Sequence, residues 1–120
     1  MSLRFEARYP FHKRHEDALN VMKRFPDRIP VIVQLGKPGV LGLSRLKRNK
    51  YLVPSDMKMG RFLSVIRSKL FARPHQALYI MTKKKNIIPA SSSLMISVYH
   101  DNKDDDYFLY LDLWAENAFG

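Results

Sequence analysis

The sequence predicts a single domain of the α+β class. Apolar residues recur at helical spacing over residues 11–24 and 55–70, which is typical of amphipathic helices. Between and after them stand short runs of β-branched and aromatic residues, such as Ile29–Leu35, which are typical of strands. A chain of 120 residues has the length of one domain with one modest core.

The expected elements follow from this periodicity and from the Pro, Gly, Ser and Asp residues that interrupt it. In order they are a helix at 11–24, a strand at Ile29–Leu35, a connecting loop at 36–49, a strand at Lys50–Val53, a helix at Ser55–Leu70, a strand at Ala77–Thr82, a short helix capped by Ser91 or Ser92 and reaching about Tyr99, and a last strand at Tyr107–Trp114. The expected domain spans residues 1–114, with N-terminal helices over about 1–25 and a flexible C-terminal tail at 115–120.

The segment KYLVPSD at residues 50–56 is the most informative part of the chain. Pro54 has no backbone N–H, so the strand before it is expected at the edge of a sheet. Ser55 is a good N-cap, and Asp56 suits the first turn of a helix. An apolar edge strand between cationic residues is a docking surface for an extended acidic peptide, although the segment alone also fits an ordinary strand-to-helix junction.

The positive charge of the chain is unevenly distributed. The formal net charge is +10. Residues 1–75 contain seventeen Lys and Arg but five Asp and Glu. Residues 76–120 contain four Lys and Arg and six Asp and Glu. Such an excess indicates a binding face for nucleic acid, anionic lipid or acidic peptide. We expect no nucleic acid, since the sequence has neither an aromatic RNA-recognition signature nor a basic-region heptad. A small basic RNA-binding protein remains an alternative.

Catalysis and metal binding are not expected, and no cofactor is predicted. There are no cysteines, which excludes thiol catalysis and disulfides. His12 and His15 share a helix face beside Glu16, but no further ligand is spaced to complete a zinc site. Asp101–Asp106 lacks the residue order of a calcium loop, and no P-loop or GxSxG motif occurs.

The chain also lacks signals for membrane insertion or export. No apolar run approaches the ~18 residues of a membrane span. The N-terminus MSLRFE lacks the apolar core of a signal peptide. A soluble, cytoplasmic protein is therefore expected as synthesised.

Several motifs together resemble one family. They are YPFHKR at 9–14, FPDRIPVIV at 25–33, KYLVPSD at 50–56, GRF at 60–62, VIR at 65–67, DYFLY at 106–110 and the ending ENAFG at 116–120. In this order and spacing they resemble the autophagy ubiquitin-like modifiers, the family that includes GABARAP. The resemblance implies a ubiquitin-like β-grasp with extra N-terminal helices, among them a short helical segment at about 4–8.

The resemblance also implies a peptide-binding site on the edge strand Lys50–Val53. Members of the family bind aromatic-x-x-aliphatic motifs, usually preceded by acidic residues, in cargo receptors and adaptors. The aromatic pocket would be lined by Asp17, Val21, Pro30, Ile32, Lys50, Leu52 and Phe108. The aliphatic pocket would be lined by Tyr51, Val53, Pro54, Met57, Phe62 and Val65. The acidic flank would be bound by Arg28, Arg48, Lys50 and Arg67.

The second implied activity concerns Gly120. In the family the terminal glycine is exposed by a cysteine protease, activated by E1-like and E2-like enzymes, and joined to phosphatidylethanolamine on the autophagosome membrane. Gly120 would then be the conjugated residue, and the catalysis would belong to the partner enzymes. The alternative is a non-conjugated β-grasp adaptor that binds acidic tubulin or anionic membrane surfaces.

The chain departs from the family pattern at four places. One is the turn Lys83–Asn86, which looks longer and more basic than usual. The loop Gly36–Asn49 has no acidic residue, whereas this loop is usually acidic in part. Pro89-Ala90-Ser91 replaces the usual Pro-Pro-Thr, and Leu113-Trp114 replaces a pair that is commonly Tyr-Ser. These changes concern the choice of peptide and enzyme partners rather than the fold.

Overall fold

The computed structural model of the protein describes residues 4–36, 48–70 and 76–117. Within them, four helices and four strands follow one another in the predicted α+β order. The helices are α1 (Phe5–Arg8), α2 (Phe11–Arg24), α3 (Met59–Leu70) and α4 (Met95–Asn102), and the strands are β1 (Arg28–Leu35), β2 (Lys50–Pro54), β3 (Gln76–Thr82) and β4 (Leu109–Asn117).

The strands form one mixed sheet in the order β2-β1-β4-β3. The central strands β1 and β4 are parallel, and β2 and β3 pair antiparallel to their neighbours. Among the described residues β2 therefore lies at one edge of the sheet, as Pro54 predicted, and β3 lies at the other.

The two faces of the sheet bury different clusters because strand side chains alternate. On one face, Val31 of β1 and Leu111 of β4 pack in a large core with Phe62 and Ile66 of α3. On the other face, Phe5, Ala18, Ile32, Phe108 and Tyr110 form a smaller cluster under α1 and α2. The peptide-binding residues predicted from the sequence are distributed over both faces.

Helix α3 begins at Met59, so the predicted start at Ser55 is wrong. The Ser55 N–H donates to the carbonyl of Asp27, and the Ser55 carbonyl accepts from Ile96. Lys58 forms a β-bridge with Leu94. These tertiary hydrogen bonds hold the segment in a turn, which local N-cap chemistry could not reveal.

Helix α4 starts two or three residues later than a cap at Ser92 or Ser91 predicts. It begins at Met95, after Leu94 as N-cap. The carbonyls of Ser91 and Ser93 accept the N–H groups of Gly60 and Met59. The serine segment is therefore used to bind the N-terminus of α3 instead of capping α4.

Strand β4 begins at Leu109 and reaches Asn117, so the predicted bounds Tyr107 and Trp114 are wrong at both ends. Its last residues pair with β3, Ala77 opposite Glu116 and Gln76 opposite Asn117. The predicted tail therefore starts inside the sheet. Residues 118–120, with Gly120, lie outside the described part of the chain.

Candidate peptide-binding site

The outer edge of β2 has backbone groups that point away from the sheet. Val33 N–H donates to the Asn49 carbonyl at 2.8 Å, and Val31 stands opposite Tyr51 in the antiparallel register. Because hydrogen-bonded pairs alternate in such a ladder, Tyr51 bonds to β1 while Lys50 and Leu52 direct their N–H and C=O groups outward. An added strand would pair with these two residues.

One of these outward groups already has a partner. The guanidinium of Arg28 donates from Nη1 to the Leu52 carbonyl at 3.3 Å. Arg28 is exposed, so a peptide strand can displace this contact at little cost. Pro54, at the end of β2, offers no N–H and limits the length of the edge available for pairing.

The predicted aromatic-pocket residues lie together between α2 and the β1–β2 hairpin. Leu52 stands opposite Pro30 and Lys50 opposite Ile32, so these four share a sheet face. From α2, Asp17 forms an ion pair with Lys50 at 2.5 Å, with both side chains more than a third exposed. The half-buried Val21 lies one helical turn after Asp17.

Ile32 and Phe108 lie deeper than the other pocket residues. Both have a relative exposure of 0% and pack with Phe5, Ala18 and Tyr110. A side chain without accessible surface cannot contact a ligand. The structure therefore brings six residues of the predicted pocket into one region, with Val21 one helical turn from Asp17, but the floor of the pocket is closed in this conformation.

A cavity of about 320 Å³ opens next to these residues. It is lined by Phe5, Arg8, Tyr9, Lys13, Arg14, Asp17, Asn49 and Lys50. Only Asp17 and Lys50 belong to the predicted pocket. The interior of the cavity is positive because four of its lining residues are cations, namely Arg8, Lys13, Arg14 and Lys50. Lys13 and Arg14 belong to the motif YPFHKR, which was the signal in the sequence for this part of the lining.

The buried carboxylate of Asp106 fixes one wall of the cavity. It accepts from Arg14 Nη1 at 2.6 Å and from the Tyr110 hydroxyl at 2.5 Å. Burial, together with the hydrogen bond to Asp106, raises the pKa of Tyr110 far above its ordinary value. Tyr110 therefore stays neutral and donates to Asp106, and the ion pair with Asp106 holds Arg14 in the cavity wall.

The predicted aliphatic-pocket residues lie on the opposite face of β2. Val53 and Phe62 are buried in the main core, and Tyr51 and Met57 pack against it. The rings of Tyr51 and Phe62 meet edge to face at 5.9 Å. The pKa of Tyr51 is raised, because the effect of burial exceeds the opposite effect of the positive charge of Arg48. The two remaining members, Pro54 and Val65, are half-buried.

The predicted acidic-flank residues divide into two places. Arg28 and Arg48 are exposed beside β2, and the Arg48 carbonyl accepts from the Tyr51 hydroxyl at 2.9 Å. Arg67 instead donates to the carbonyl of Gln76, which starts the strand at the opposite edge. Arg67 thus has a backbone partner on β3, whereas Arg28 and Lys50 belong to the paired strands β1 and β2.

The residues considered for metal binding have other contacts. His15 lies between Phe11 and Tyr107, with ring centroids 5.5 and 5.1 Å away. No group of three or more His, Asp or Glu side chains converges as a metal site in the described part of the chain. Across the same residues, no helix is both long and apolar enough to span a membrane.

The fold and this edge-strand site define a ubiquitin-like protein. Over 100% of both chains, the structure matches the crystal structure of Trypanosoma brucei ATG8 with a TM-score of 0.84 and 34% sequence identity. The predicted ubiquitin-like β-grasp with N-terminal helices is thereby confirmed.

The sequence comparisons identify the family. The family model described as "Autophagy protein Atg8 ubiquitin like" matches residues 13–120. Autophagy-related protein 8d of Arabidopsis thaliana is 37% identical over 97% of this chain and 93% of its own length. Autophagy-related protein 8 of Coccidioides immitis is 37% identical over 100% of this chain and 99% of its own. The chain belongs to the Atg8 family of autophagy ubiquitin-like proteins, which confirms the resemblance inferred from its motifs.

Proposed function

We propose that this protein is a ubiquitin-like modifier of autophagy that binds short aromatic-x-x-aliphatic motifs of cargo receptors and adaptors and is conjugated through Gly120. The observation that supports it best is the edge strand β2, whose alternate residues face two different sites. Successive side chains of an added strand point to opposite faces. One face offers Leu52 beside α2, and the other offers Tyr51 beside Phe62.

The proposed conjugation follows from membership of the family. The protein itself supplies the terminal carboxylate of Gly120, and E1-like and E2-like enzymes supply the catalysis. Phosphatidylethanolamine in the autophagosomal membrane is the proposed acceptor, and a cysteine protease processes or releases the conjugate. The unconjugated form is proposed to be cytoplasmic. The protein has no proposed catalytic residue of its own.

Motif binding is tested by substituting Leu52. Truncating a buried anchor contact commonly costs about 1–3 kcal/mol of binding, so Leu52→Ala should weaken an acidic Trp-x-x-Leu peptide by roughly tenfold or more. Isothermal titration measures the affinity, and a thermal melt confirms folding. Leu94→Ala, which changes an exposed leucine at the start of α4, is the matched control. Equal affinity in both folded variants would remove the pocket from the proposal.

Conjugation is tested by deleting Gly120. Reconstitution with the E1-like and E2-like enzymes and phosphatidylethanolamine vesicles should give a lipid adduct on the intact protein and none on the deletion variant. Unchanged peptide affinity of the deletion variant is the control for its fold. An adduct that persists without Gly120 would show another acceptor. If the intact protein forms no lipid adduct, the result favours the alternative, a non-conjugated adaptor that binds tubulin or anionic membranes. The net charge of +10 also suits that alternative.

A further inference from the structure

Phe5 separates the open cavity from the floor of the aromatic pocket. Its ring lies 5.4 Å from the ring of Phe108, edge to face, and it belongs to the same buried cluster as Ile32. Phe5 also lines the cavity together with Asp17 and Lys50. Ile32 and Phe108 do not line it and have no exposed surface. The cavity therefore ends at Phe5, and the deepest pocket residues lie behind it.

We infer that Phe5 closes the aromatic pocket and that the aromatic side chain of a bound peptide must displace it. The inference rests on the proposed motif binding and adds to it a residue that controls access. Phe5 occupies the apolar space above Phe108 that an aromatic anchor would otherwise fill. A ligand that binds only the displaced state has its apparent affinity reduced by the fraction of protein in that state.

Specific contacts of α1 hold Phe5 in place. The Phe5 N–H donates to Gln34 Oε1 at 2.8 Å, and Arg4 Nη2 contacts Asp112 Oδ1 at 2.6 Å. Glu6 accepts from Arg4 at 3.0 Å and from Gln34 at 3.1 Å. We call these contacts of Arg4, Phe5 and Glu6 the α1 anchor. They determine how much free energy the opening of the pocket requires.

Helix α1 is suited to movement because its other polar contacts with the rest of the described chain are few, namely Arg4 Nη1 to the Leu35 carbonyl at 3.2 Å and Lys83 to Glu6 at 3.7 Å. It has four residues and no side-chain hydrogen bond at its N-cap. A helix of one turn is not stable by itself in water, so its position depends on the α1 anchor and on the ring of Phe5. The Arg4 side chain is 37% exposed, which lets solvent compete for its ion pairs. The cavity leaves open space on the outer side of Phe5.

The test compares the affinity of one peptide for several variants. The probe is a Trp-x-x-Leu peptide with neutral flanks, so that changes of charge near α1 have little effect on binding. Open states of this kind are commonly populated at about 10% or less, so Phe5→Ala should tighten binding by about tenfold or more. Arg4→Ala keeps Phe5 but weakens the α1 anchor, and it should tighten binding in the same direction. Phe25→Ala, which removes a phenylalanine that is 38% exposed, should leave the affinity unchanged.

Hydrogen exchange gives an independent measure in the unmodified protein. Peptide binding should speed exchange of the Phe5 amide, because its hydrogen bond to Gln34 opens. The control is the amide of Gly36, which donates to the Leu113 carbonyl at 2.7 Å and should keep its protection. If Phe5 only supports the pocket, Phe5→Ala will weaken binding and the Phe5 amide will stay protected. Either result overturns the inference.

The outcomes also separate this inference from the proposed function. Equal or weaker binding by Phe5→Ala, with measurable binding by the unmodified protein, rejects the role of Phe5 and leaves motif binding intact. If no folded variant binds the peptide, motif binding fails and the role of Phe5 fails with it. Should Phe5→Ala not fold, Arg4→Ala and the exchange experiment decide the question by themselves.

Discussion

At the scale of single residues, Asp106 shows how a buried charge supports the binding region. Its side chain is 1% exposed, and it accepts from Arg14, Tyr110 and the Phe108 N–H, the last at 2.9 Å. A buried carboxylate is stable only when its lone pairs are satisfied in this way. The network links α2, which lines the cavity, to the start of β4.

The first residue-scale prediction concerns removal of this carboxylate. Asp106→Ala leaves Arg14 and the Tyr110 hydroxyl without their common acceptor, and breaking a buried pair costs about 3–5 kcal/mol. The free energy of unfolding, measured by urea denaturation, should fall by this amount. Asp105 is the matched control, since its side chain is 84% exposed and lies 3.5 Å from Lys84. Asp105→Ala should change stability by less than about 1 kcal/mol; equal effects of the two substitutions would contradict the assigned role of Asp106.

At the scale of elements, the chain packs closely against β4 at Gly36, the residue directly after β1. A Cβ atom on Gly36 would lie 2.1 Å from Cε2 of the Trp114 ring, well inside contact distance. The Gly36 N–H also donates to the Leu113 carbonyl at 2.7 Å. Leu113-Trp114 departs from the usual family pair, so the indole and the glycine form a matched feature of this chain.

The element-scale prediction is that Gly36→Ala destabilises the protein unless Trp114 is reduced as well. Overpacking of this kind costs about 1–3 kcal/mol, and Trp114→Leu in the same chain should recover most of the loss. Urea denaturation of both single variants and the double variant gives the coupling energy. Gly60→Ala is the comparison, because its Cβ would meet Ser91 Cβ at 3.1 Å, a much milder overlap than at Gly36, and its effect should not depend on Trp114. A coupling energy near zero would show that the indole moves aside freely.

The boundaries of α3 show which features of a helix its periodicity can predict. The periodicity of Phe62 and Ile66 predicted α3 and its buried face correctly, because burial of an apolar stripe depends on local spacing. Its first turn was predicted wrongly, because Ser55 is hydrogen-bonded to Asp27 and Ile96. Such contacts join segments distant in sequence, and local preferences contain no information about them.

At the scale of the whole molecule, positive charge is the dominant feature. The net charge is +10. Arg28 and Arg48 lie beside the edge strand, and Lys50 is its first residue. Summed charge of this kind raises the rate at which an acidic partner is encountered more than it strengthens the final contacts. The excess therefore suits acidic motifs and anionic membranes alike, and kinetics can distinguish them.

The whole-molecule prediction is that Arg48→Glu slows association of an acidic-flanked peptide more than it speeds dissociation. Raising salt from about 0.05 to about 0.5 M should shrink the difference, because the Debye length falls well below the range of such steering. Stopped-flow binding measures both rates. Arg61→Glu, on an exposed position of α3, alters the net charge equally and should slow association less. If Arg48→Glu leaves the association rate unchanged at low salt, the basic residues beside β2 serve a membrane instead of a peptide.

Part of the site could be predicted from the sequence, and part could not. Pro54 indicated an edge strand, because a residue without an N–H is disfavoured in a central one. The rule is a preference only, since Pro30 lies in the central strand β1. The family motifs predicted which residues of α2 and β2 lie together, and the structure places Asp17 against Lys50. The contacts of Phe5 could not be predicted, because α1 is too short to have a periodicity of its own. The acidic-flank role of Arg67 stays a prediction, and its hydrogen bond to Gln76 could not be foreseen, because the direction of Arg67 depends on how α3 packs.

The sequence by itself determined the α+β class, the family, the edge character of β2 and the apolar faces of the long helices. These features depend on local periodicity, on the chemistry of single residues such as Pro54, and on motifs in a fixed order. Only the tertiary structure decided the start of α3, the extent of β4, the pairing of Gly36 with Trp114 and the packing of Phe5 on Phe108. Each of these depends on contacts between segments far apart in the chain, whose free energy exceeds the local preferences of the residues involved.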